Sequence, residues 1–266
     1  MQQPGISSKN IAKTQYFDRY DVKEKGIRLF CFPYAGGGAS VFRLWQEKLG
    51  DDIHVYPAHY PGHEERIMEK PVKDMNTLVT SLFEEMNKGI QHPFVLFGHS
   101  AGSRVAYELA VQFEEAKQKN LRGIIVSGGL APNRREVNPI YQLAEENFFN
   151  SLSQYGRTPR ELFENKDLWA IFGPVLRADF TLADTYQDEK YRKIHVPVLA
   201  LRGTKDPEIS KADLQEWKHY TTAEFRHKDI EGEHLFIDTN TDEVLDVIKE
   251  HIMQVLLPDL SLRLER

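Results

Sequence analysis

Residues 94–102 read Phe94-Val95-Leu96-Phe97-Gly98-His99-Ser100-Ala101-Gly102. The first four are apolar, two of them aromatic and one β-branched, which is the pattern of a short strand buried on both faces. From Ala101 the spacing turns helical, with Val105, Leu109 and Phe113 on one stripe of a helix predicted over 101–119. Between the two stands Gly-x-Ser-x-Gly. A serine on so sharp a turn presents its hydroxyl at the end of the strand. A side chain at 98 or 102 would collide with the neighbouring strand or helix. The helix start then aims free N–H groups and a partial positive charge at any oxyanion that forms beside the serine. Ser100 is the candidate nucleophile.

The chain on either side repeats the alternation of short apolar runs with amphipathic stretches. Strands are expected at 27–32, 53–57, 123–127 and 196–201, with a weaker one near 223–230. A helix over 75–88 places Leu78, Val79, Leu82, Phe83 and Met86 on one stripe. Another over 242–256 does so with Val244, Leu245, Ile248 and Ile252, and Pro258 stops it. This is an α/β architecture, a mostly parallel sheet flanked by helices, and the strand–elbow–helix makes it an α/β-hydrolase fold. The stretch 133–194 has no convincing strand and reads as helices at 139–152, 159–165 and 167–187. A crossover needs one helix of roughly a dozen residues, so the segment is expected to be a helical lid inserted into a single domain spanning 1–266.

A serine hydroxyl needs a base, and the base needs an orienting acid, in the chain order Ser, Asp or Glu, His for this fold. Of the histidines after Ser100, His195 precedes a buried strand, His219 falls in a surface-like helix, His227 in a polar strand and His251 in the terminal helix. His234 stands in Gly232-Glu233-His234-Leu235-Phe236, a glycine-led loop between the last strand and last helix, and is the candidate base. The acid should leave another strand at the same sheet edge. Asp206, in Gly203-Thr204-Lys205-Asp206-Pro207, does so; Asp179 and Asp184 are rivals within the insertion. The oxyanion hole should pair the Ala101 N–H with one from the loop Pro33-Tyr34-Ala35-Gly36-Gly37-Gly38, where Ala35 is the candidate and Tyr34 the next choice.

Other features exclude function classes. A net charge of -6 over 266 residues gives no basic footprint for nucleic acid. The single cysteine, Cys31, lies in an apolar strand, so no internal disulfide or cysteine-based metal site is available, and the usage fits a reducing cytoplasm. The polar residues 1–15 lack a signal-peptide core, and no run approaches a membrane span. A cytoplasmic, monomeric protein without nucleic-acid or membrane partners is expected. His59 and His63 have ligand-like spacing, but Pro61 and Gly62 break any helix between them, so no metal is expected. Trp45 and Phe42 read as core, and Glu64-Glu65-Arg66 as a solvated run.

Seven segments, in order between about residues 28 and 240, carry a more specific resemblance. They are Phe32-Pro-Tyr-Ala-Gly-Gly, Phe42-Arg43-Leu44-Trp45, Tyr60-Pro61-Gly62-His63-Glu64-Glu65-Arg66, the Gly-His-Ser-Ala-Gly elbow, Leu176-Arg177-Ala178-Asp179, Gly203-Thr-Lys-Asp206-Pro and Gly232-Glu-His234-Leu-Phe. Together they resemble the type II thioesterases, external editing enzymes of nonribosomal peptide and polyketide synthesis. The chain departs from that family in having Glu233 for a second glycine, His63 where arginine is common, and Gly173 where leucine precedes Pro174. The resemblance implies hydrolysis of acyl groups from the phosphopantetheine arm of acyl or peptidyl carrier-protein domains, in editing or product release. It also implies that no cofactor is needed, because the arm arrives with the substrate. The alternatives with the same triad are a small-molecule carboxylesterase and an acyltransferase; a silent docking module is a third. Arg134, Arg135 and Arg177 are candidates to meet an acidic carrier surface.

Overall fold

Six strands pair in the order β2-β1-β3-β4-β5-β6, every pair parallel. They are β1 (Ile27–Phe32), β2 (Ile53–Pro57), β3 (Phe94–His99), β4 (Leu121–Ser127), β5 (Val198–Gly203) and β6 (Phe225–Ile230). This computed structural model describes residues 16–17, 25–136, 138–154, 162 and 164–256. β1, β3 and β4 are almost wholly buried, which is why they read as continuous apolar runs rather than as alternating ones. The chain leaves β1 toward β2 on one side and returns past it to β3 on the other. That reversal opens a crevice at the carboxyl ends of β1 and β3, the usual place for a ligand in such sheets.

Several expected strand ends move, among them the start of β4, at Leu121 rather than 123, and the end of β5, at Gly203 rather than 201. β3 continues through Gly98 and His99, which pair with Val126 and Ser127 of β4. β5 starts at Val198 rather than 196, after Pro197, whose carbonyl accepts from the Ile124 N–H.

Helices cover both faces. One face packs α2 (Met75–Gly89) and α3 (Ala101–Glu115) on Phe30, Phe32, Leu96 and Ile124. The other packs α1 (Trp45–Leu49) and the last helix on Leu29, Cys31, Phe97 and Ile125, with Phe42 and Trp45 in the core as expected. Asp74 caps α2 by accepting the Thr77 N–H at 2.8 Å, a contact worth about 1 kcal/mol. α3 stops at Glu115 rather than 119, and Lys117 takes φ +57 just beyond it. It is also buried almost all round, not on one stripe. Its polar residues seat the chain that follows β4. Arg104 donates to the carbonyls of Ala183 and Arg134, and Glu108 accepts from the Tyr186 hydroxyl and Arg192.

Between β4 and β5 lie α4 (Glu145–Gln154) and α5 (Lys166–Thr185). α4 begins six residues later than expected, because Ile140 and Tyr141 instead donate their N–H groups to Asp184. The helix expected at 159–165 falls largely outside the described residues. α5 starts behind Asn165, whose side chain accepts from Asp167 and Leu168. Trp169 of α5 donates to Glu145 of α4 at 2.7 Å, and Phe148, Leu152 and Phe180 form a separate small core there. A side chain at Gly173 would meet the Trp169 ring at 2.9 Å, which ties this departure from the family to the α4–α5 contact. After β5 come α6 (Lys211–Glu216), α7 (Phe236–Thr239) and α8 (Thr241–His251). The expected helix over 242–256 is thus α8, continued by a wider turn over Ile252–Leu256. Among the described residues, no helix is long and apolar enough to cross a membrane.

Candidate active site

The elbow residue Ser100 adopts φ 53 and ψ -118, backbone that an L-residue occupies only under constraint. The constraint is visible. A Cβ at Gly98 would lie 1.9 Å from the Gly102 carbonyl oxygen, and one at Gly102 would lie 2.2 Å from that of Phe32. Only hydrogen at both positions lets α3 start this close to β1 and β3. The Ser100 N–H donates to Ser127 at 2.7 Å, and the Ser103 hydroxyl donates to the Gly98 carbonyl.

His234 and Asp206 reach this turn from neighbouring strand ends. Gly232 takes φ +128, while Glu233 does not have a positive φ, so a second glycine there is not required. The Gly232 carbonyl accepts from Lys205, and a Cβ at Gly203 would lie 2.5 Å from the Glu233 carbonyl oxygen. The loops after β5 and β6 therefore close on each other. Asp206 Oδ2 accepts from His234 Nδ1 at 2.9 Å, and the Ser100 hydroxyl donates to His234 Nε2 at 2.9 Å. Asp206 Oδ1 is occupied by the N–H groups of Glu208 and Ile209. Its carboxylate has no solvent exposure, and His234 is 12% exposed. Burial draws the His234 imidazole toward its neutral form. The hydrogen bond to Asp206 and the charges of Glu208 and Asp206 outweigh that, and its pKa lies above the ordinary value. Glu208 Oε2 stands 3.6 Å from His234 Nε2.

The structure gives the two rival carboxylates other work. Asp184 accepts two backbone N–H groups, and Asp179 bonds His63 and Gly36. Neither is hydrogen-bonded to His234. His59 faces Glu65. The Glu64–Arg66 run is not simply solvated. Glu64 accepts from the Ser40 N–H beneath Gly38, and Arg66 donates to the His59 carbonyl. Of the arginines expected to dock a carrier, Arg177 is engaged inside the insertion. It donates to the Tyr141 and Leu143 carbonyls with its guanidinium 4.1 Å from the Phe148 ring centre. Arg134 pairs with Asp213 at 3.0 Å, and Arg135 is exposed beside Glu189.

The glycine loop after β1 lies across from Ser100. The Gly36 N–H donates to Asp179 and the Gly37 N–H to the Tyr34 carbonyl, while Pro33 has none. Among the described residues the Ala35 N–H has no hydrogen-bond partner. The Tyr34 hydroxyl donates to Asp238 at 3.0 Å and fixes the loop to α7.

His99 was not foreseen as part of the site. It is fully buried; its Nε2–H donates to the His234 carbonyl at 2.9 Å and its Nδ1 accepts from the Ser127 hydroxyl at 2.9 Å. Burial and the nearby His234 hold it well below the usual imidazole range, so it is neutral, as this bonding pattern requires. Its position inside the pentapeptide was the available signal, since the side chain before the serine must point into the protein.

Ser100 and His234 open on a cavity of about 450 Å³. Leu152, Leu168, Phe172, Leu176 and Phe180, all from α4 and α5, give it an apolar wall, and Glu136, Asp184 and Glu208 add carboxylates. The arrangement can move a proton from a hydroxyl to an imidazole whose far side is held by a carboxylate.

The thioesterase-domain family model matches residues 27–252. The linear gramicidin dehydrogenase LgrE of Brevibacillus parabrevis is 32% identical over 238 residues, 88% of this chain and 90% of that protein. The gramicidin S biosynthesis protein GrsT of Aneurinibacillus migulanus is 31% identical over 235 residues, 88% of this chain and 92% of that protein. The structure of the type II thioesterase BorB from the borrelidin biosynthetic cluster superposes with a TM-score of 0.78 at 29% identity, covering 89% of this chain and 97% of BorB. On the extent of these matches and the parallel six-stranded sheet, this chain belongs to the thioesterase family and has the α/β-hydrolase fold.

Proposed function

We propose that the protein hydrolyses acyl groups from the phosphopantetheine arm of carrier-protein domains, through an acyl-Ser100 intermediate. The observation that carries the reading is the continuous Asp206–His234–Ser100 hydrogen-bond chain at the mouth of an apolar cavity. Ser100 Oγ attacks the thioester carbonyl carbon while His234 Nε2 takes its proton, and Asp206 stabilises the imidazolium. The N–H groups of Ala101 and Ala35 receive the tetrahedral oxyanion. Collapse expels the pantetheine thiolate, which takes the proton back from His234. Water, deprotonated by His234, then attacks the acyl ester and frees Ser100.

The segment 133–194 acts as the lid, since α4 and α5 supply the cavity wall that an acyl chain would touch. The relatives' names place GrsT in gramicidin S synthesis and BorB in a borrelidin cluster, and that context favours a synthase's carrier domains as the partner. The protein works as a monomer and needs no cofactor of its own. An editing enzyme gains most from contacts to the shared part of its substrates, because these act on every acyl group alike.

The test compares acetyl-carrier protein, acetyl-N-acetylcysteamine and a free acetate ester at two ionic strengths. The carrier substrate should have the highest kcat/KM and should weaken with salt, as charged docking does. A free ester as best substrate, with no salt effect, would replace this reading with a plain esterase.

A further inference from the structure

His63 and Asp179 are 116 positions apart and meet in the interior, with side chains 7% and 12% exposed. His63 Nε2 lies 2.8 Å from Asp179 Oδ2 and Nδ1 lies 3.2 Å from the Pro61 carbonyl oxygen. Both facing atoms are acceptors. A neutral imidazole has one N–H and would leave one ring lone pair against an oxygen, whereas the imidazolium satisfies both. The same Asp179 Oδ2 accepts the Gly36 N–H at 2.6 Å.

One carboxylate oxygen therefore joins the loop after β2, helix α5 and the glycine loop. Gly36 has φ +82, and a Cβ on it would lie 2.7 Å from Leu176 of α5, so the loop is seated directly on that helix. The residue before it is Ala35, whose N–H has no partner among the described residues. The other groups around His63 do not replace its charge. Glu64 adds negative charge and is bonded to Ser40; Tyr60, whose ring centre is 6.0 Å away, is kept neutral by burial. Among the described residues no lysine or arginine is bonded to Asp179. Burial works against the imidazolium, but the Asp179 charge and hydrogen bond, the Pro61 carbonyl and Glu64 outweigh it, raising the His63 pKa.

We propose that a charged His63–Asp179 pair is a positioning device for the reaction, holding the glycine loop so that the Ala35 N–H meets the oxyanion and anchoring α5 beside the cavity. The inference rests on the acyl-Ser100 reading. Neither residue touches the substrate; they act through the loop. Because an oxyanion forms only on the way to the tetrahedral intermediate, a misplaced donor lowers kcat and leaves KM nearly unchanged. Deprotonation of His63 should misplace it in the same way, so the turnover of the native protein falls at alkaline pH.

The experiment measures kcat, KM and their pH dependence for the native protein, H63Q, H63R and D179N, per active site counted with a fluorophosphonate. H63Q and D179N should lose about tenfold or more in kcat, with KM within about threefold. The alkaline fall of the native protein should be absent in H63R, which carries a permanent charge. Native kcat and an unaltered pH profile in H63Q would overturn the proposal. NMR of the native protein provides the check that needs no variant: both His63 ring nitrogens should be protonated at pH 7, and a neutral ring overturns the proposal. Loss of the acyl-Ser100 reading itself would show separately, as turnover surviving in S100A.

Discussion

His99 Nε2 lies 2.9 Å from the carbonyl oxygen of His234, so the residue before Ser100 holds the backbone of His234. The bond spans 135 positions of chain and is partly buried. It sets where the His234 ring starts from, while Asp206 sets which way the ring faces.

Replacing His99 by leucine leaves the buried Ser127 hydroxyl and the partly buried His234 carbonyl without their partner. Each buried unsatisfied group costs about 1–3 kcal/mol, so a Tm lower by several degrees is expected. The rate should fall as well, with kcat reduced about tenfold or more and KM little changed. Thermal unfolding together with steady-state kinetics checks both. A stable variant with normal kcat would remove His99 from the positioning of His234.

Asp206→Asn keeps the shape of the side chain and can still accept the Glu208 N–H, so the loop should remain folded. The imidazole loses the carboxylate that fixes its tautomer and stabilises its charged form, and kcat should fall by about 10³–10⁴-fold. Near-normal turnover in the folded variant would move the acid to another residue.

In the proposed mechanism His234 must be neutral to accept the Ser100 proton. With the His234 pKa raised, the imidazole is in the accepting form above that value, and activity is lost on the acid side as pH falls through it. Glu208 contributes to the raising, so Glu208→Gln should move the acid limb of kcat/KM to lower pH, by about a unit or less for a partly exposed carboxylate. A limb that stays in place, or moves upward, contradicts the assignment of that limb to His234.

The elbow, the sheet and the placement of the loops that carry His234 and Asp206 were legible in the sequence because each depends on local demands. Glycine at 98 and 102 is dictated by atoms a few residues away or on the adjacent strand, and Gly232 by its own φ. What escaped depends on distant apposition. Arg177 reads as a free surface cation, yet its charge is spent on two carbonyls and an aromatic face within the insertion. Arg104 and Glu108 lie off the apolar stripe of Val105, Leu109 and Phe113, and they seat the segment after β4. The late start of α4 follows from Asp184 capturing two N–H groups from 43 and 44 positions away. Nothing in the periodicity of residues 139–152 announces that contact.

The central claim is that Ser100 carries the acyl group, and one variant tests it most directly. Ser100→Ala removes the attacking oxygen and leaves the glycines, His234 and the oxyanion donors in place. Hydrolysis of acetyl-carrier protein should fall about 10³-fold or more with Tm unchanged, the residue of activity coming from binding and the oxyanion hole. Mass spectrometry of the native protein quenched during turnover should show an acyl adduct on the peptide containing Ser100, absent from the variant. Turnover within tenfold of native in Ser100→Ala, with no adduct on that peptide in the native protein, would contradict the account.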